Sequence, residues 1–120
     1  MKPHQAVIHL SHDAARLIEF DDTSANAVSL AREVHGTHQH HSGVRTEHEF
    51  FAQVCDRLGT LTRVLVTGGH TPLQDFQRYV DKHRPQVGVH VLAWQVVDQL
   101  TDNQLVALAR KRFVDVERLA

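Results

Sequence analysis

The sequence lacks the features that mark secreted, membrane-spanning and nucleotide-binding proteins. Its 120 residues include one cysteine, Cys55, so no internal disulfide can form, which suits a reducing cytoplasm. No apolar run approaches the length of a membrane span, and the N-terminus has no apolar signal segment. The glycine patterns of dinucleotide and P-loop sites are also missing. We therefore expect a cytoplasmic protein without a membrane partner.

Net charge is also small, whereas histidine is abundant. The 13 Lys and Arg residues nearly balance the 14 Asp and Glu residues, which gives a formal charge of −1. This balance disfavours a strong, uniform attraction to nucleic acid, although it is compatible with local basic patches. The 11 histidines make the surface charge sensitive to mildly acidic pH. A hydrophobic content of 42% over this length predicts one globular domain spanning residues 1–120.

The clearest local pattern lies in the middle of the chain and predicts a strand, a turn and a helix. The unbroken apolar run Val64–Val66 is typical of a strand buried on both faces. The Gly68-Gly69 pair favours a turn, and Thr71 is the expected N-cap of the helix that follows. This helix has one apolar face, formed by Leu73, Phe76 and Val80.

Other apolar runs predict four further strands, and two Thr-x-x-Glu/Gln boxes predict the starts of two further helices. The strands are expected at Gln5–Leu10, Ala15–Phe20, Val28–Val34 and Val87–Ala93, and the helix starts at Thr46–Glu49 and Thr101–Gln104. The resulting order is β-β-β-α-β-α-β-α. A strand meander followed by alternating helices and strands predicts an α/β fold, with a mixed five-stranded sheet covered by helices on both faces.

Three stretches of this chain resemble a known domain, and they cover most of its length. They are AVIHLSHDAARLIEF, VLVTGGHTPLQDFQRYV and DQLTDNQLVALARKRF. The chain resembles the central, ribonuclease H-like domain of the archaeal and eukaryotic class I release factor and Pelota family, and small bacterial relatives of it. The resemblance implies a three-layer ribonuclease H-like fold. It also implies a translation-associated accessory protein whose partner is the ribosome or ribosomal RNA.

The loop before the first helix departs from that family. Release factors carry a Gly-Gly-Gln tripeptide there, whereas this chain reads HGTHQHHSGVR. Gln39 is present, but it lies between His38 and His40. The resemblance therefore does not carry peptide-release activity to this chain, and what it implies is binding through this loop.

The histidines of this loop allow three interpretations. His35, His38, His40 and His41 are spaced closely enough to bind zinc or nickel, although no standard structural zinc spacing is present. The loop can instead contact RNA, with Arg45 supplying the dependable positive charge, or it can be a solvated loop without a ligand. The complete RNA- or partner-binding set predicted here is His38, Gln39, His40, His41, Arg45, Arg110, Lys111 and Arg112.

Two further segments have both a binding and a structural interpretation. The turn Gly68-Gly69-His70-Thr71 precedes a helix N-terminus, where backbone N–H groups can hold an anion, or it is simply a tight turn. The clusters Arg110–Arg112 and Lys82–Arg84 are expected at helix ends, where cations complement the helix dipole. If both clusters shared one face, they would form a strip for RNA contact.

Catalytic interpretations fail because the required groups are missing. Ribonuclease H chemistry needs a carboxylate on the first strand, and Ala6–Leu10 contains none. Cys55 falls on the apolar stripe of a helix, which indicates a core residue and not a nucleophile. Trp94 is expected under the final helix, or exposed as a partner anchor. We expect a non-enzymatic binding module without a cofactor, with a metal-responsive protein and a homodimer paired through a sheet edge as alternatives.

Overall fold

The structure is a computed structural model that describes residues 5–21, 23–31 and 42–119. It contains five strands and four helices in these segments. The strands are β1 (Gln5–Leu10), β2 (Ala14–Phe20), β3 (Ala25–Ala31), β4 (Arg63–Gly68) and β5 (Val91–Val96). The helices are α1 (Ser42–Leu58), α2 (His70–His83), α3 (Pro85–Gly88) and α4 (Asp102–Leu119). No helix in these described ranges has the length and apolar content needed to cross a lipid bilayer.

The strands form one mixed sheet in the order β3-β2-β1-β4-β5. β2 runs antiparallel to both β1 and β3, whereas β1, β4 and β5 are parallel to one another. The predicted meander and the predicted mixed five-stranded sheet are therefore confirmed. The parallel strands end together at one edge of the sheet, which we call the carboxyl edge.

Helices cover both faces of the sheet, as predicted, because the central strands have apolar side chains on both sides. One core lies between the sheet and the α1, α2 and α3 layer, and its members include Ile8, Leu17, Leu58, Val64 and Phe76. The other lies under α4 and includes Val7, Ile18, Leu65, Leu105 and Phe113. This gives the three-layer ribonuclease H-like arrangement.

The strand at the centre of the chain is buried as predicted, and its last residue explains the need for glycine. Val64, Leu65 and Val66 have no solvent exposure. At Gly68, a Cβ atom would lie 2.6 Å from the backbone oxygen of Leu10 on β1. At Gly69, the nearest atom to a Cβ would be the Cδ of Pro72, at 3.6 Å. Close strand packing therefore requires glycine at the first of these positions only.

The predicted helix starts are right in one case and wrong in two. At Thr101–Gln104 the box is confirmed, because Thr101 N–H donates to Gln104 Oε1 at 2.9 Å and Gln104 N–H donates to Thr101 Oγ1 at 3.2 Å. Thr46 is not a cap, since α1 already begins at Ser42 and Thr46 is a buried residue within it. Thr71 is not a cap either, because α2 begins at His70 and the extended residue Gly69 is its N-cap.

The last predicted strand is shifted along the chain, and an additional helix takes its place. Pro85 follows the end of α2 and occupies the first turn of α3, where its fixed φ suits a new helical turn. Val87, expected in a strand, is buried in α3, and β5 then runs from Val91 to Val96. Trp94 lies within β5 and not after it. Its ring contacts Phe76 of α2 at 5.9 Å, so it packs on the face opposite α4.

The third strand also starts earlier than the sequence predicted. Asp21 closes the β2–β3 turn, because its Oδ1 accepts hydrogen bonds from the backbone N–H groups of Thr23 and Ser24, both at 2.8 Å. These bonds hold the pKa of Asp21 down at about 2. β3 begins directly after the turn, at Ala25.

Candidate functional site

A groove lies along the carboxyl edge of the sheet, above the ends of β1 and β4. It consists of two neighbouring cavities of about 370 and 340 Å³, which share His9, Ser11 and Gln99. Apolar residues of β2 and α4, including Leu105, close the larger cavity, and Gly69 and Pro72 line the smaller one. In open α/β sheets this edge is the usual place for ligands. We call it the carboxyl-edge groove.

His9 is the central polar residue of this groove, and its proton position follows from its neighbours. Its Nδ1 lies 3.1 Å from Oγ1 of Thr67, and that hydroxyl donates at 2.8 Å to the carbonyl oxygen of Ile8. Because the only hydroxyl proton of Thr67 is used on a carbonyl, Thr67 must accept from His9 Nδ1–H. The imidazole is therefore the Nδ1-protonated tautomer when neutral, and its Nε2 is an unprotonated acceptor.

Partial burial keeps this imidazole in its neutral form. Desolvation lowers the pKa of His9 below its ordinary value of 6.5. A neutral imidazole with a fixed tautomer accepts a hydrogen bond or a proton at Nε2. The His9 side chain lines both cavities of the carboxyl-edge groove.

Arg16 forms the outer wall of the groove and is fully engaged. Its Nε donates to one oxygen of Asp102 at 2.5 Å, an Nη atom donates to the other at 2.6 Å, and the second Nη donates to Ser29 at 3.0 Å. This contact raises the pKa of Arg16 and lowers the pKa of Asp102. The pair joins β2 to the first turn of α4, so its role here is to position these elements and not to offer a free charge.

A second concave surface lies between α1 and α2, and we call it the α1–α2 groove. It is a cavity of about 250 Å³. Three rings meet there in pairs: His48 and Tyr79 at 5.3 Å, Tyr79 and His83 at 4.8 Å, and His48 and His83 at 5.5 Å between ring centroids. Both imidazoles are exposed, and the tyrosine is half-buried. The groove therefore presents aromatic surface to solvent.

Comparison with known proteins assigns the fold. No protein-family model matches the chain, and no curated protein matches it in sequence. Among solved structures, Pelota from Archaeoglobus fulgidus matches over 99% of this chain, with a TM-score of 0.66 and 15% identity. The chain has the fold of a Pelota-like domain. An archaeal translation termination factor, aRF1, matches over 89% with a TM-score of 0.57 and 13% identity.

The Pelota-like domain corresponds to only part of these larger proteins. It spans 35% of the Archaeoglobus Pelota chain and 34% of the aRF1 chain. Dom34 from S. cerevisiae, described as a translation termination-like factor involved in RNA quality control, matches over 96% of this chain. Its TM-score is 0.54 and its identity is 10%, and this chain spans 36% of it. The predicted resemblance in fold is thereby confirmed.

The predicted histidine-rich loop lies outside the residues that the structure describes. His35, His38, Gln39, His40 and His41 all lie between residues 32 and 41, and the binding and metal interpretations of this segment remain predictions. Arg45 lies on α1, within the first turns of that helix. In the described ranges, no group of three or more His, Cys, Asp or Glu side chains is arranged to hold a metal ion.

The basic residues of α4 do not occupy the helix end that the sequence indicated. α4 continues to Leu119, so Arg118, and not the cluster at 110–112, stands in its last turn. Arg110 donates to the backbone oxygen of Asp21 at 2.7 Å and lies over the ring of Phe20 at 5.4 Å. Lys82 and His83 do occupy the last turn of α2, as predicted, but on the opposite face of the sheet. The two clusters therefore do not form one strip.

The Gly68-Gly69-His70-Thr71 turn and Cys55 have clear structural roles. The turn joins β4 directly to α2, with His70 and Thr71 exposed in the first helical turn; its anion-binding role stays a prediction.

Cys55 is fully buried in the core, where desolvation raises the pKa of its thiol to about 11. This confirms its interpretation as a core residue.

Sequence reasoning missed both groups of contacting polar and aromatic residues described above. His9 and Thr67 are 58 residues apart, and they meet only because β1 and β4 pair in parallel with these two residues in register. A signal for the α1–α2 groove was present, because Tyr79 and His83 are four residues apart on one face of α2. Nothing in the sequence places His48 beside them.

Proposed function

We propose that this Pelota-like domain is a non-catalytic accessory factor of translation that docks on the ribosome through RNA contacts. The observation that supports this proposal is the fold match to Pelota, Dom34 and aRF1 over 89–99% of the chain. Two of these proteins are described as a translation termination factor and a termination-like factor. An accessory factor acting in translation works in the cytoplasm, where we place this protein.

The docking element in this proposal is the histidine-rich segment between β3 and α1. Ala31 ends β3 and pairs with Ala14 at the start of β2, beside the carboxyl-edge groove. β3 therefore ends at the carboxyl edge. His38, Gln39, His40, His41 and Arg45 follow, and we propose that they contact ribosomal RNA.

The exposed Lys111 on α4 is proposed as an additional contact. It lies beside Arg110, whose guanidinium is already engaged with Asp21 and Phe20, and beside the half-buried Arg112. Lys111 is therefore the member of this cluster best suited to contact a phosphate. Loss of one such contact lowers affinity and also reduces the salt dependence of binding.

Cosedimentation with purified ribosomes tests this proposal. The intact protein is compared with a variant in which His35, His38, His40 and His41 are replaced by Ser. A control variant replaces the exposed His12 by Ser, which removes a histidine outside both the docking segment and the predicted anion-binding turn. We expect the intact protein and the control to pellet with ribosomes and the loop variant to remain in the supernatant.

Each result has a defined meaning. Equal pelleting of all three proteins would remove the loop from the proposed contact, and absence of pelleting for the intact protein would contradict ribosome docking.

We also propose that the protein lacks peptide-release activity, because Gln39 is not preceded by two glycines. Release of peptide from a ribosomal termination complex by the purified protein would contradict this proposed lack of activity.

A further inference from the structure

The α1–α2 groove is concave, aromatic and charged, and no part of the proposed docking loop accounts for it. We propose that it binds one unpaired nucleobase of single-stranded RNA, stacked on the exposed His83 imidazole and the half-buried Tyr79 ring beside it. This inference rests on the proposed function, because it names a second RNA contact for the same protein. The residues that line this groove, on α1 and α2, are not among the residues of the proposed docking loop.

The rings at the groove are held in place by the core beneath them. Tyr79 contacts Phe51 at 5.5 Å, and Phe51 contacts the fully buried Phe76 at 5.2 Å between centroids. The exposed His48 and His83 rest against the same tyrosine. A stacking surface fixed in this way loses little conformational freedom when a base binds. Every nucleobase has a π face, and stacking on aromatic side chains is the main contact to unpaired bases.

The charges around the rings fit a nucleotide. Arg78 and Lys82 line the groove, and within the described ranges neither forms an ion pair, whereas Arg16, Arg63 and Arg84 each do. These two cations are therefore available for phosphate. Glu47 and Asp75 also line the groove and offer carboxylate acceptors for the amino groups on a base edge.

The size of the groove favours a single base over a larger ligand. Its volume of about 250 Å³ lies below the range of roughly 300–1,000 Å³ typical of pockets for drug-sized molecules. A paired base in an A-form helix presents no free face to such a cavity, so the base must be unstacked. A buried peptide side chain is the competing occupant, and the experiment below includes it.

Binding of a fluorescein-labelled single-stranded RNA oligonucleotide to the intact protein, measured by anisotropy at low salt, tests the inference. The variants are Tyr79→Leu, which keeps apolar volume but removes the aromatic face, and His83→Ala. We expect each to weaken binding by about 5- to 150-fold, the range associated with one stacked base. Tyr79→Phe should bind like the natural protein, because the ring is retained.

Two controls separate stacking from charge and from folding. His12→Ala removes another exposed imidazole, which lies in the β1–β2 turn and outside the α1–α2 groove, and should leave RNA binding unchanged. Thermal unfolding of Tyr79→Leu checks that the core is intact, and His83→Ala, at an exposed position, gives the result independently of any folding defect. Unchanged affinity in His83→Ala and Tyr79→Leu would overturn the inference.

The outcome also distinguishes this inference from the proposed function. If the intact protein pellets with ribosomes but the oligonucleotide binds equally to all variants, the groove is not an RNA site and ribosome docking stands. If the intact protein shows no oligonucleotide binding, or if an aromatic peptide binds the groove and RNA does not displace it, the inference is overturned. Oligonucleotide binding that depends on Tyr79 and His83 without ribosome pelleting supports the groove and contradicts docking.

Discussion

His9 and Thr67 lie opposite each other on the parallel strands β1 and β4, and their side chains are joined by a 3.1 Å hydrogen bond between Nδ1 and Oγ1. The Thr67 hydroxyl donates a hydrogen bond to the carbonyl oxygen of Ile8, so in its bond with His9 the hydroxyl oxygen is the acceptor. The result is a neutral imidazole that lines the carboxyl-edge groove and whose Nε2 carries no proton. The register between β1 and β4 therefore determines which imidazole nitrogen of His9 is the acceptor.

Replacing Thr67 by Val should disrupt this arrangement. Valine has a similar shape but no hydroxyl, so neither the hydrogen bond with His9 Nδ1–H nor the hydrogen bond to the Ile8 carbonyl oxygen can form. Both bonds would be lost at a fully buried position. We expect a loss of about 1–3 kcal/mol in the free energy of unfolding, measured with urea. Nitrogen-15 NMR of the imidazole should show the Nδ1-protonated form in the natural protein and a mixture of tautomers in Thr67→Val. Thr67→Ser, which keeps the hydroxyl, should retain the single tautomer.

His9 should make the protein less stable in mild acid. Its folded pKa lies below the unfolded value of 6.5, so the unfolded chain binds the proton more readily. The stabilisation is complete above about pH 6.5 and is lost as pH falls towards the folded pKa. His9→Asn lacks this titration, and the other histidines are common to both proteins. The difference in unfolding free energy between them should therefore change between pH 7.5 and pH 5, and a constant difference would contradict the prediction.

The two glycines of the β4–α2 turn should respond differently to substitution. Gly68→Ala would place a methyl group 2.6 Å from the Leu10 carbonyl oxygen, whereas Gly69→Ala meets only an ordinary contact with Pro72. We expect Gly68→Ala to lower the free energy of unfolding by about 1–3 kcal/mol or more, since β1 must move away. Gly69→Ala should remain within about 1 kcal/mol of the natural protein. Equal effects in urea unfolding would show that the strands are not packed as described.

Thr101 and Thr71 provide a matched test of helix capping. Thr101→Ala removes the side chain that accepts from Gln104 N–H, and we expect a loss of about 1 kcal/mol. Thr71→Ala changes an exposed residue inside the first turn of α2 and should have an effect well below that. Thermal unfolding of both variants checks this difference. A larger effect at Thr71 would restore the capping role that the sequence alone suggested.

The fold was predictable where local and long-range preferences agree. Val64–Val66 is both apolar enough for a central strand and followed by glycines, so the strand, turn and helix were predicted together. The predicted start of the last strand at Val87 was wrong. This apolar run has strand propensity, but Pro85 favours a helical turn, so α3 forms first and β5 begins at Val91. Thr46 and Thr71 had the right residue type for a cap but lay one to four residues inside their helices, which sequence does not resolve.

The candidate sites were less predictable, because they are formed by contacts between distant parts of the chain. His48 and Tyr79 meet only through the packing of α1 on α2, and His9 meets Thr67 only through strand register. Arg110 was predicted as a binding residue from its charge, yet it contacts the β2–β3 turn. Charge and spacing identify candidates, and the fold decides which of them remain available to a ligand.

Chemical footprinting of ribosomal RNA in purified ribosomes tests ribosome docking most directly. With saturating protein, we predict that a discrete set of ribosomal RNA nucleotides becomes protected from modification. This protection should be lost when His35, His38, His40 and His41 are replaced by Ser. A modification pattern that is identical with and without the protein would contradict the account.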